Sequence, residues 1–144
     1  MFDFGDSDMD SSISSAGEEH LFVGLDIGGT NLKAGIVKGD SGEVLCSQTE
    51  ALPSSPSSRK PDALVSMLVA LGNSVLAEEG LSWMDVTAVG VACPGQIKRE
   101  IGVVVGTSTF PGWSNVPLAA HVQEATGRPV RLRIMGIDIF LFFQ

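Results

Sequence analysis

The rhythm of apolar and polar positions changes along the chain, and each rhythm implies an element. Leu21-Phe22-Val23-Gly24-Leu25-Asp26-Ile27 is an apolar, β-branched run; Gly28-Gly29-Thr30-Asn31 follows as turn chemistry; Leu32-Lys33-Ala34-Gly35-Ile36-Val37 then resumes the extended pattern. Two such runs joined by a Gly-Gly turn predict a β-hairpin, with the glycines expected to take the positive φ that tight turns demand. A second turn at Lys38-Gly39-Asp40-Ser41-Gly42 leads into Glu43-Val44-Leu45-Cys46-Ser47-Gln48, which completes a three-strand antiparallel meander. The period then switches. After a Pro/Ser-rich loop from Leu52 to Lys60, Leu64, Val65, Leu68, Val69, Leu71, Val75 and Leu76 recur every third or fourth position behind Pro61, and Glu79-Gly80 ends the pattern. This predicts a helix that packs on the sheet by that stripe. Val86 to Ala92 reads as a buried strand closed by Cys93-Pro94-Gly95-Gln96, and Ile101 to Val105 as another strand after a charged turn at Lys98-Arg99-Glu100. A short helix from Pro117 to Thr126, stopped by Gly127, precedes a last strand, Pro129 to Arg133. Meander, helix, strand, helix, strand is the order of an α/β fold.

The two ends break this texture. Residues 1–19 contain Asp3, Asp6, Asp8, Asp10, Glu18 and Glu19 and no Lys or Arg, so they carry −6 of the chain's net charge of −8. Like charge, Ser and Gly with few apolar groups predict a flexible acidic tail; an acidic interaction arm is the functional alternative. Residues 134–144 end the chain in Ile137, Ile139, Phe140, Leu141, Phe142 and Phe143, an apolar run of high β-propensity that reads as sequence outside the ancestral frame. Between them, residues 20–133 are the predicted folded lobe.

Charge and cysteine content narrow the function classes. The lobe is close to neutral, which removes the basic footprint of a nucleic-acid binder. No apolar run is long enough to span a bilayer. Two widely separated cysteines, Cys46 and Cys93, make neither a disulfide framework nor a zinc knuckle, and the acidic N-terminus resembles neither a secretory signal nor a transit peptide. The expected setting is the cytoplasm, with no nucleic acid, membrane or zinc as partner.

The segment from Gly24 to Lys33 is the richest in chemistry. An aspartate near the end of a buried strand, directly before a turn without bulky side chains, sets one carboxylate beside accessible backbone amides. The amides of Gly28, Gly29, Thr30 and Asn31 and the Thr30 hydroxyl suit phosphate oxygens, Asp26 suits Mg²⁺ through its water shell, and Lys33 adds a point charge. A purely structural Gly-Gly hairpin is the plain alternative. Neither G-x-x-x-x-G-K-S/T nor a strand-borne G-x-G-x-x-G occurs.

The D-x-G-G-T-N form of this hairpin resembles the first phosphate loop of the ROK family of sugar kinases, repressors and open reading frames. Two later segments fall in the family's order: Val89-Gly90-Val91-Ala92-Cys93-Pro94-Gly95-Gln96 resembles its G-x-G-x-P-G-x sugar loop, and Thr109-Phe110-Pro111-Gly112-Trp113-Ser114-Asn115-Val116-Pro117-Leu118 its N-L-x-G-W-x-N-V-P-L stretch. The resemblance implies the N-terminal lobe of the actin-like, ribonuclease H-like ATPase fold, using Mg-ATP and a hexose, with a homo-oligomer as a possible assembly. It implies Asp26, Gly28, Gly29, Thr30, Asn31 and Lys33 on the phosphate side and Gly95, Gln96 and Thr109 on the sugar side. Thr109 stands where family kinases carry a sugar-contacting asparagine, and its hydroxyl lacks the amide's paired donor and acceptor. Trp113 reads as a packing anchor with its indole N–H bonded nearby. His20 has no recruiting partner in sequence, and His121 reads as structural.

The resemblance stops before the family's N-D-A-N motif, whose aspartate is the general base. Asp138, flanked by Ile137 and Ile139, does not match it. With the base motif and the family's second lobe both missing, the expectation is a hexose-kinase lobe that is inactive alone; the alternative is a non-catalytic sugar- or partner-binding remnant. A repressor reading loses support because an acid-rich stretch of nineteen residues is not expected to supply a helix-turn-helix.

Overall fold

The computed structural model describes residues 20–134, so the expectations for the acidic tail and for the apolar C-terminal run lie outside the described residues. Three strands, β1 (Leu21–Ile27), β2 (Asn31–Lys38) and β3 (Val44–Ala51), form the antiparallel meander; β4 (Ala88–Cys93) and β7 (Val130–Ile134) extend the sheet in parallel. The order across the sheet is β3-β2-β1-β4-β7. The central strand β1 is thus paired on both edges, antiparallel to β2 and parallel to β4, and this is why its apolar run is nearly continuous rather than cleanly alternating.

Two helices cross over between strands: α1 (Pro61–Glu78) between β3 and β4, and α2 (Leu118–Thr126) between β4 and β7. Pro61 opens α1 because a first-turn residue needs no N–H partner. The helix buries Leu64, Val65, Leu68, Leu71, Gly72, Val75 and Leu76, while Val69 is only partly covered. Gly72 belongs to the buried face because the Trp83 ring lies where its side chain would stand, 2.8 Å from a notional Cβ. On the sheet side, Val23, Leu25 and Ile27 of β1 align in register with Ile36, Ala34 and Leu32 of β2, and all six join the core.

Two differences from the sequence reading concern the stretch after β4. The segment read as a strand-closing turn contains a further short strand, β5 (Gln96–Lys98), and the strand expected over Ile101 to Val105 is β6 (Val103–Gly106). β5 and β6 pair only with each other, as a separate two-stranded ribbon, while an isolated bridge links Val104 to Val116. Three residues of β5 lie below the length at which periodicity is readable. The Pro/Ser loop likewise holds a single 3-10 turn, Pro56–Arg59.

Cys93 closes β4 with no solvent exposure, its Sγ donating weakly to the Pro94 carbonyl at 3.4 Å. Burial, and secondarily the Asp26 carboxylate, push its thiol from 9.0 up to about 12. Between these values the folded protein keeps a proton that the unfolded chain has lost, so stability must fall as pH rises through that window, by up to about 1.4 kcal/mol per pH unit. Urea unfolding at about pH 8 and about pH 10.5 is expected to show a larger loss for the parent than for Cys93→Ala, which cannot titrate; equal losses would disprove the coupling.

Candidate functional site

Asp26 is half-buried near the carboxyl end of β1, level with Lys33 on β2 and with Ala92 on β4. The turn that follows is closed by the Gly28 N–H donating to the Asn31 carbonyl at 2.9 Å, with the amides of Gly29 and Thr30 at its tip beyond that bond. Neither Gly28 nor Gly29 has a positive φ, contrary to the sequence expectation. Their lack of a side chain serves space instead. A Cβ on Gly28 would lie 3.0 Å from the Asn31 carbonyl oxygen, tighter than a turn comfortably holds, and one on Gly29 would touch the Thr109 methyl at 3.4 Å. Thr30 and Asn31 are exposed; the Asn31 amide donates to the Thr30 hydroxyl at 3.1 Å, and the Thr30 carbonyl accepts from the Leu52 N–H at 2.8 Å.

The contact at Gly29 carries the site across to the second group of residues. The Thr109 N–H donates to the Thr107 hydroxyl at 3.1 Å, and Thr107 in turn packs against Gly95. Gly95 has φ +113°, and a Cβ there would run into the Gly106 carbonyl and into Thr107. Glycine is therefore required here by the approach of the chain itself. Gln96, next in line, is exposed and opens β5 opposite Gly106. Gly29, Thr109, Thr107 and Gly95 thus form an unbroken line from the hairpin to the Pro-Gly loop.

Arg59 is a member that sequence reasoning missed. Its guanidinium donates to the Gly29 carbonyl at 2.7 Å and lies 5.6 Å from the centre of the Phe110 ring, while its own carbonyl accepts the Trp113 indole N–H at 2.8 Å. Phe110 and Trp113 stack at 5.0 Å and are both buried, Trp113 to 6 % exposure, as a packing anchor with a bonded N–H. A cation in a Pro/Ser loop, thirty residues after Gly29 and next to Lys60, carries no local sign of this role. The signal was the indole N–H of Trp113, which when buried must find an acceptor.

Other candidates fall elsewhere. His20 does have a partner, the Thr87 hydroxyl at 3.2 Å, supplied by the strand-level neighbour that sequence distance hid. His121 is exposed on α2. Cys46, Glu78 and Glu79 bring potential ligand atoms within 4.8 Å of one another beside the end of α1, away from the hairpin, and burial, then the Glu78 and Glu79 carboxylates, raise the Cys46 thiol above its ordinary value. Among the described residues no helix is long and apolar enough to cross a membrane.

Replacing Arg59 by Met keeps the bulk over Phe110 and removes the charge-assisted bond to Gly29, worth about 1.5–3 kcal/mol. The expected result is at least about tenfold faster amide exchange at Gly29, Thr30 and Asn31 with little change in α1; unchanged exchange in the hairpin would show that Arg59 does not hold it.

The chain is 32% identical over 115 residues to a glucokinase of Thermotoga maritima and 29% identical over 111 residues to a glucokinase of Streptomyces coelicolor, in each case over 76% of this chain. It spans about a third of the length of these curated relatives, 32% and 31%. Among solved structures, a ROK family glucokinase from Streptomyces griseus in complex with glucose and AMPPNP superposes with a TM-score of 0.66 at 28% identity, over 79% of this chain and 33% of that one. A ROK hexokinase from Thermus thermophilus gives 0.64 at 29%, over 79% and 35%. The α/β sheet with its two helices is thus the fold of the ROK actin-like kinases. The ROK family model matches residues 22–134, from the first full strand to the last, and the chain belongs to the ROK family.

Proposed function

We propose that this chain is the lobe of an ATP-dependent, glucokinase-like hexose kinase that holds the transferring phosphates and one wall of the sugar pocket. The observation that carries the reading is the approach of the hairpin to Thr109, whose methyl stands 3.4 Å from where a Cβ on Gly29 would lie, because it sets the hairpin and the Thr109–Trp113 segment side by side. The Streptomyces griseus relative binds glucose and AMPPNP together, which is the pairing such a surface would serve.

The parts divide by chemistry. The amides of Gly29, Thr30 and Asn31 with the Thr30 hydroxyl offer a donor set suited to phosphate oxygens, while the Gly28 N–H holds the turn closed on the Asn31 carbonyl. Asp26 offers a hard carboxylate oxygen one residue before that turn, with the Lys33 ammonium opposite it, so the residues fit a hydrated Mg²⁺ beside a triphosphate. When bound, Mg²⁺ supplies charge neutralisation across the phosphate oxygens. Gln96 and the Thr109 hydroxyl offer donors and acceptors to sugar hydroxyls, and Gly95 fixes the backbone between them. Phe110 and Trp113 keep water from the floor of this wall.

The sugar-side segments Gly95–Gln96 and Thr107–Trp113 contain no carboxylate, so they offer no group to take the proton from a sugar hydroxyl. We therefore infer binding with little or no turnover by these 144 residues, in a cytoplasmic, reducing setting that keeps Cys46 and Cys93 as free thiols. That same observation favours, as the second reading, a non-catalytic sugar-binding member of the family.

Calorimetric titration with Mg-AMPPNP in the presence of glucose tests the phosphate side. Asp26→Ala is expected to weaken binding about tenfold or more, equivalent to about 1.4 kcal/mol, and the difference should vanish when Mg²⁺ is chelated. Equal affinities with Mg²⁺ present would refute the assignment. A coupled ADP assay with glucose and with N-acetylmannosamine separates the two readings, since turnover lost in Asp26→Ala would rule out the non-catalytic one.

A further inference from the structure

Arg59 is held at three points that belong to different parts of the site. Its guanidinium donates to the Gly29 carbonyl at 2.7 Å, at the tip of the hairpin, and lies 5.6 Å from the centre of the Phe110 ring. Its own carbonyl accepts the Trp113 indole N–H at 2.8 Å. Thr109, whose hydroxyl is the candidate sugar ligand, directly precedes Phe110 in the chain. One residue thus takes its position from the sugar side and imposes a position on the phosphate side.

What it imposes is a direction. The peptide bonds of the described residues are all trans, and in a trans peptide the carbonyl and the next residue's N–H point opposite ways. The Gly29 carbonyl shares its peptide plane with the Thr30 N–H, so fixing the first on Arg59 aims the second away from it. The next carbonyl along, that of Thr30, accepts from the Leu52 N–H at 2.8 Å. Leu52 follows β3, so this bond ties the tip to the sheet, whereas the Arg59 bond ties it to the Phe110–Trp113 stretch. A cation on the carbonyl also polarises the peptide and makes its N–H the better donor to an anion. Among the described residues the side-chain contacts of Arg59 run to a carbonyl and a ring and not to a carboxylate, so its charge is not neutralised where it acts.

We propose that Arg59 is a positioning residue that couples the two halves of the site. A sugar held at Thr109 stills Phe110, the guanidinium over its ring and the Gly29–Thr30 peptide, so a phosphate group then meets a Thr30 N–H that is already ordered. The inference rests on the phosphate and sugar assignments proposed above. No change of shape is required, because ordering entropy lost to the first ligand is not lost again to the second. By linkage the effect is reciprocal: phosphate tightens sugar binding by the same factor.

The measurement is calorimetric titration of the full chain with Mg-AMPPNP, with and without saturating glucose. Glucose is expected to tighten Mg-AMPPNP about fivefold or more in the parent and to leave it nearly unchanged in Arg59→Met, which keeps bulk over Phe110 but removes the bond to Gly29. Arg59→Lys retains a charge and a donor and is expected to restore most of the effect. Trp113→Phe cuts the other end of the strap while keeping a ring against Phe110; it too is expected to reduce the effect of glucose, and it decides the matter if Arg59→Met fails to fold. Glucose alone should slow amide exchange at Thr30 in the parent and not in Arg59→Met. If Mg-AMPPNP binds but glucose changes its affinity equally in the parent and in both strap variants, the coupling is overturned and the kinase reading stands. Weaker binding in Arg59→Met with the glucose effect intact would leave Arg59 a structural support only, which overturns the coupling as well. A parent that binds neither ligand refutes the kinase reading and this inference with it.

Discussion

The Arg59 guanidinium on the Gly29 carbonyl is the interaction on which the geometry of the site depends. Arg59 works at both ends, with its side chain on the hairpin and its main-chain carbonyl on the Trp113 indole. Three segments far apart in sequence therefore meet at one residue: the β1–β2 turn, the loop before α1, and the strand-free stretch from Phe110 to Trp113. Pro61 fixes where α1 begins two residues later, so the strap is anchored to a rigid element. A bare glycine turn at a sheet edge would otherwise be the least ordered part of the fold. Holding its carbonyl at 2.7 Å from a cation fixes the orientation of the amides at its tip, the preorganisation that the proposed phosphate site would use.

Glycine achieves this arrangement through space more than through dihedral freedom. At Gly28 the approaching atom is the Asn31 carbonyl oxygen, at Gly29 the Thr109 methyl, and at Gly95 the Gly106 carbonyl and Thr107. Only Gly95 of these three also has a left-handed φ. Of these positions only Gly29 faces another of the three motifs, leaving space beside the Thr109 methyl. A methyl group at Gly29 would be tolerated in ordinary contact with Thr109, whereas one at Gly95 would collide with backbone that cannot step aside. The two loops therefore differ in how much change they can absorb, and the Pro-Gly loop is the stiffer of them.

What could be read from the sequence was local, and what could not was relational. The meander, α1 with its stripe from Leu64 to Leu76, α2 and the strands β4 and β7 each leave a periodic trace within their own residues. The hairpin and the Thr109–Trp113 segment could be named as a pair from their resemblance to ROK proteins, yet their contact through Gly29 and Thr109 rests on the sheet and the 3-10 turn together. Arg59 was invisible because its partners are thirty and fifty-four positions away. The φ of Gly28 and Gly29 was misjudged for the opposite reason: a local rule about two-residue turns was applied where β1 and β2 are joined by three. β5 was too short to read, and no pattern within β6 could tell whether it joined the main sheet or a ribbon of its own.

The placement of the candidate site follows from the sheet. Period-two alternation puts Gly24 and Asp26 on one face of β1, and the registers extend those positions into two rows. One row is Gly35, Gly24, Gly90 and Arg131; the next, closer to the carboxyl ends of β1, β4 and β7, is Lys33, Asp26, Ala92 and Arg133. Across the three central strands the first row has no side chains at all, so nothing from the sheet itself shields the carboxylate and the ammonium beyond it. On the opposite face Val23, Leu25 and Ile27 fill the core under α1. The sheet thus fills one side with the core under α1 and leaves a run of glycines on the other beside the Lys33–Asp26 row, which lies near the carboxyl ends of β1 and β4, where α/β sheets receive ligands. Asp26 lies in that row and also leans on the Cys93 thiol through β4.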